Sequence, residues 1–146
     1  MIGTFTLVGI SACLGFAALG SVFGAGIAGL AAIGAWKKCF VQNKPAPMTL
    51  VAFAGAPLTQ TIYGFILMNV LRGATGLEGW LILGIGVFAG IAIGGSAIAQ
   101  GKCSAAACDA FGETGQGFGN YMLVVGLCET VALFVMVFAI LIASAV

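Results

Sequence analysis

Gly126-Leu127-Cys128-Glu129-Thr130-Val131-Ala132-Leu133-Phe134 sets a single carboxylate inside an otherwise apolar run from Tyr121 to Val146. A run of that length can cross a bilayer, and a charge held at the bilayer centre costs at least ~2.5–3.5 kcal/mol. Glu129 must therefore be protonated, paired or holding a cation. The rest of the chain can be read for the groups that make such a residue tolerable.

Hydrophobic residues make up 62% of the 146 and charged residues 6%, whereas an ordinary soluble domain has about 25% charged. The chain has too little polar surface to cover a soluble fold. Residues 4–36, 48–71, 80–111 and 121–145 are each apolar and longer than the ~20 residues that a helical span needs. Their apolar runs are continuous, without the alternation of a membrane β-barrel. The sequence thus predicts an all-α membrane protein of four transmembrane helices, with no soluble domain left over.

Lys37, Lys38 and Lys44 flank the first connection, Lys102 lies towards the end of the third helix, and the middle connection holds only Arg72 and Glu78. The positive-inside rule then puts the first and third connections in the cytoplasm and both termini on the outer side. The bias is carried mainly by the first connection, because Asp109 and Glu113 offset Lys102. The net charge of +1 itself says little; no nucleic-acid partner is expected.

There is no His, and Cys13, Cys39, Cys103, Cys108 and Cys128 show no CxxC spacing, so they read as small buried apolar residues rather than as a metal centre. Ile10-Ser11-Ala12-Cys13 looks like a lipoprotein processing box. It lacks a basic segment before it, and the apolar run continues past Cys13, so acylation is not expected.

The helices alternate in character. The first and third are rich in glycine, with Gly20-x-x-x-Gly24 and Gly86-x-x-x-Gly90-x-x-x-Gly94 lining one face, whereas the second and fourth carry Phe65, Leu67, Met68, Leu133, Phe134, Met136 and Phe138. Small faces of this kind let helix backbones approach closely. With an offset of about 70 residues Gly20 and Gly24 fall on Gly90 and Gly94, the signature of an internal repeat. At nearly the same offset Pro57-Leu58-Thr59-Gln60-Thr61 falls on Gly126-Leu127-Cys128-Glu129-Thr130. The chain reads as two fused helical hairpins, residues 1–72 and 73–146, in parallel orientation, with Gln60 standing where the second hairpin has Glu129.

Counting from the cytoplasmic turns at the helical rise places Gln60 about 18 Å along its helix, Glu129 about 14 Å and Gln100 about 17 Å. Three polar side chains from three helices thus reach one level, with Thr59 and Tyr63 beside Gln60. Gln, Thr and backbone carbonyl oxygens around a carboxylate suit a hard cation. Pro57 removes one helical N–H and interferes with the carbonyl four residues back. The carbonyls of residues 53–56 are candidate ligands in the manner of broken-helix ion sites.

On these residues the chain resembles the proteolipid (c or K) subunit of V-type, or bacterial and archaeal A/V-type, rotary ATPases. The resemblance covers the whole chain. Pro57-x-Thr59-Gln60-x-x-Tyr63, Gln100 before Gly101-Lys102, and Glu129-Thr130 are similar to the sodium-binding members. It implies Na⁺ as the transported ion, held by Glu129, Gln60, Thr59, Gln100 and the backbone carbonyl of Ala56, where the family often has a bulkier residue. Tyr63 would close the site by a hydrogen bond to Glu129. It further implies identical subunits packed into a ring in the lipid bilayer of the cell membrane, with Gly20, Gly24, Gly86, Gly90 and Gly94 in the packing. A stator membrane subunit presenting an Arg and central-stalk subunits would be partners. Soluble subunits would hydrolyse ATP, so the chain would be a non-catalytic, ion-translocating subunit.

Three other readings stand beside this one. Glu129 could carry H⁺, with its polar neighbours as hydrogen-bond partners. A small four-helix proton-coupled exporter would need an aromatic-lined cavity rather than glycine ladders. A purely structural or pore-forming assembly would leave the cost of Glu129 unexplained.

Overall fold

The computed structural model describes residues 3–145; Met1, Ile2 and Val146, which close the two ends of the predicted hairpins, lie outside them. The described residues form α1 (Thr4–Val41), α2 (Leu50–Gly55), a single 3-10 turn (Ala56–Leu58), α3 (Thr59–Gly73), α4 (Gly79–Thr114) and α5 (Phe118–Ser144). With α2, the turn and α3 running as one rod, four helices are long and apolar enough to cross a membrane. The predicted four-helix, all-α architecture is the one observed.

At 38 and 36 residues, α1 and α4 are about 57 and 54 Å long, well beyond a hydrocarbon core of about 30 Å. Both outrun the apolar stretches ending at residues 36 and 111, because polar residues on a helix outside lipid do not stop it. What stops them is local backbone chemistry. Past α1, Asn43 takes a φ of 52°, and past α4, Gly115 and Gly117 take φ of 65° and 83°, left-handed values that glycine adopts without steric cost. The third connection therefore shrinks from the expected residues 112–119 to residues 115–117.

The glycine ladders meet each other. A Cβ on Gly9, Gly20 or Gly24 would fall under 3.0 Å from the backbone of α4, and one on Gly86, Gly94 or Gly101 would do the same to α1. Gly90 is nearly as tight, 3.0 Å from the Ala12 and Cys13 carbonyl oxygens. Such an approach replaces side-chain layers by direct backbone packing. The pairings rise together, from Gly9 with Ile82 to Gly20 with Gly94 and Gly24 with Gly101, so α1 and α4 are parallel. All five glycines named in the sequence are thus occupied within one chain, while Gly15, Gly26, Gly29, Gly34, Gly84 and Gly95 face open space.

Around this pair α3 runs antiparallel to α1, with Gly64 against Ala17 and Pro57 against Gly24. Two apolar clusters result. One joins Cys13, Ala17, Leu67, Leu71, Ile93, Ala132 and Ala139. The other joins Ala32, Ala35, Leu50, Phe53, Cys108 and Val125, with Phe111, Phe118 and Tyr121 around Phe53. Between them on α3, α4 and α5 lies a polar layer. Phe5, Leu30, Phe88, Leu123, Leu127 and Phe134 point outwards, each more than half exposed, as a lipid-facing surface requires.

Candidate functional site

Pro57 shapes one wall of the polar layer. Lacking an N–H, it cannot continue the α-helical ladder, and α2 gives way to the 3-10 turn with Pro57 inside it. The Ala56 carbonyl then accepts both the Thr59 backbone N–H and the Thr59 hydroxyl, at 3.0 Å. α3 restarts at Thr59, and from it Gln60 reaches α4 and Tyr63, one turn on, reaches α5.

From there the polar groups form one continuous chain. Thr59 Oγ1 lies 3.2 Å from Gln60 Oε1, and Gln60 Nε2 donates to Gln100 Oε1 at 2.7 Å. Gln100 Nε2 donates to the Val125 carbonyl at 3.1 Å and to Glu129 Oε2 at 3.3 Å. Tyr63 donates its hydroxyl to Glu129 Oε1 at 2.5 Å. Every side chain expected at this level is therefore in one network with Glu129, and the Ala56 carbonyl stands at its far end.

Gln60 and Gln100 are both 0% exposed. Buried amides of this kind are costly when unpaired and rigidifying when satisfied, and here they hold α3, α4 and α5 at a fixed separation. Glu129 has no cationic partner among the described residues: the ion pairs join Lys38 to Asp109 at 2.8 Å and to Glu113 at 3.1 Å, at the far ends of α1 and α4. No group of three or more His, Cys, Asp or Glu occurs among them either. The site offers one carboxylate and several neutral oxygens. Such a set can hold a proton or a small cation.

Sequence reasoning missed three features. The Val125 carbonyl anchors Gln100, and no sequence signal marks a backbone acceptor. Ser96 donates to the Cys128 carbonyl at 2.6 Å; its spacing of four residues from Gln100 puts both on one face of α4, which could have revealed it. Cys103 and Cys128 lie with their sulfurs 3.6 Å apart. Cys13, Cys39 and Cys108 behave as expected, buried with their thiols against backbone carbonyls.

Fold and site together define a polytopic membrane protein that carries one intramembrane carboxylate in a cage of neutral polar groups. Residues 83–142 match the family of ATP synthase C subunits; that stretch is most of α4 and α5 and contains Gln100 and Glu129. The chain is also similar to the A-type ATP synthase subunit K of Methanocaldococcus jannaschii, with 35% identity over 136 residues, covering 92% of this chain. It spans 59% of the length of that relative.

Proposed function

We propose that this chain is the membrane rotor-ring (proteolipid) subunit of an A/V-type ATPase, and that it carries one Na⁺ per subunit at Glu129. The observation that carries the reading is the hydrogen-bonded run from Gln60 through Gln100 to Glu129, closed by Tyr63, with the single Thr59 hydroxyl proton shared between the Ala56 carbonyl and Gln60 Oε1 at its far end. The relative's description as an ATP synthase subunit K supports it, as does the family match over the second hairpin.

The mechanism follows from charge. A monovalent cation cancels the one carboxylate, so the loaded site can pass lipid, whereas the empty carboxylate bears the full desolvation cost. Loading and release therefore take place against a stator surface that supplies a positive charge. Glu129, Gln60, Thr59, Gln100 and the Ala56 carbonyl are the ligands, and Tyr63 holds the carboxylate in place. The two hairpins, residues 1–72 and 73–146, derive from a duplication in which only the second kept a carboxylate. Their turns face the cytoplasm. The chain catalyses no reaction itself; soluble subunits of the complex hydrolyse ATP, and central-stalk subunits turn the ring.

A proton in place of Na⁺ is the competing reading. One observation favours it: Gln100 Oε1 is already taken by the Gln60 amide, which withdraws an oxygen from an ion's coordination. Carbodiimide labelling of the purified ring at several pH values, with and without Na⁺, separates the two. Labelling of Glu129 that Na⁺ suppresses is the expected result. Labelling that follows pH and ignores Na⁺ would make this a proton rotor.

A further inference from the structure

Cys103 and Cys128 stand apart from the other three cysteines. Both are only partly buried, and their sulfurs approach to 3.6 Å across the α4–α5 contact. Cys128 directly precedes Glu129, and Cys103 lies three residues beyond Gln100, so the pair spans the two helices that position the site. Cys128 also opens onto an outward groove of about 490 Å³ lined by Ser96, Ala99, Val124 and Val131. The other three cysteines instead face backbone carbonyls.

We propose that Cys103 and Cys128 form a redox modification site, closed to a disulfide by a small uncharged peroxide, which clamps α4 to α5 beside Glu129. The inference about the clamp rests on the rotor reading above; the disulfide itself does not. One thiol gives up its proton and the resulting thiolate attacks a peroxide oxygen; the O–O bond breaks, a sulfenic acid forms, and the hydroxide that leaves takes up that proton as water. The second sulfur then displaces the sulfenic oxygen as a further water, forming the S–S bond. Two thiols and one hydrogen peroxide thus yield one disulfide and two waters, with the thiol sulfurs oxidised and the peroxide reduced. A disulfide needs its sulfurs at ~2.05 Å and is specific in geometry, so the pair must close in from the 3.6 Å at which the sulfurs now stand. Once closed, the bond ties Gln100 and Glu129 to one fixed helix separation. Within this proposal, ion exchange at the carboxylate draws on movement of the α4–α5 contact and slows once that contact is tied.

The test uses the whole ATPase complex in its membrane, treated with hydrogen peroxide and then digested without reduction. Mass spectrometry is expected to find the Cys103 and Cys128 peptides joined, lighter by two hydrogens than the sum of the separate peptides and separated again by dithiothreitol. ATP hydrolysis coupled to ion transport should fall about tenfold, as expected when a conformational step limits turnover, and recover on reduction. Cys103→Ala should keep the untreated rate and lose the sensitivity. Oxidation that stops at separate sulfenic or sulfinic acids, or that pairs other cysteines, would overturn the modification site and leave the rotor reading intact. A joined pair with unchanged turnover would overturn the clamp. A complex whose untreated hydrolysis is not coupled to an ion would remove the rotor reading and the clamp with it.

Discussion

Tyr63 and Glu129 meet across the α3–α5 contact, the phenol donating to Glu129 Oε1 at 2.5 Å, and this bond ties α3 to the carboxylate on α5. When Glu129 holds a cation as a carboxylate, the phenol is the donor that steadies it. Tyr63→Phe removes the donor while leaving the ring packed against the apolar cluster around Leu67. Hydrogen bonds to charged groups contribute roughly 1.5–3 kcal/mol, so Na⁺ protection of Glu129 against carbodiimide should weaken about tenfold or more. Unchanged protection would show that the phenol only packs.

Glu129→Gln keeps the shape of the side chain and an acceptor for Tyr63 but deletes the charge. Coupled ion transport should be abolished, while the assembled ring still survives extraction in detergent. A variant that transports at the native rate would remove Glu129 from the mechanism.

Gln100 is the hinge of the network, bonded to Gln60, Val125 and Glu129. Gln100→Ala strands those partners in a buried layer, where each unsatisfied group costs ~1–3 kcal/mol. Na⁺ affinity should drop by about 5- to 150-fold, measured by titrating protection from labelling. Gln60→Ala should act in the same direction, and both should reduce affinity more than assembly. Unchanged affinity in both variants would take the two amides out of the ligand set.

The α1–α4 contact can be probed by two substitutions on one helix. A Cβ at Gly94 would collide with the Phe16 carbonyl, whereas one at Gly84 meets open space. Both variants gain the same helix propensity, up to about 1 kcal/mol, and only Gly94→Ala overpacks the contact, at a cost of about 1–3 kcal/mol. Thermal unfolding in detergent should show a lower midpoint for Gly94→Ala and an equal or higher one for Gly84→Ala. Matching shifts would argue against direct backbone packing at Gly94.

Four apolar helices, their alternation of small and bulky residues, and polar groups at one depth are all legible in residue order. Span length follows from bilayer thickness, and depth follows from the rise per residue. Pro57, Gln60, Gln100 and Glu129 could be placed in this way before any contact was known. Other relationships came only with the packed helices: the glycine ladders face one another within the chain, Gln100 rests on the Val125 carbonyl, and Cys103 lies against Cys128. These depend on how each helix is rotated about its axis. In the two glycine-rich helices small residues occur all round, as Gly15 and Gly29 on open faces and Gly20 and Gly24 on the packed one illustrate. With little contrast between faces, periodicity cannot choose one, and only close packing of the backbones does.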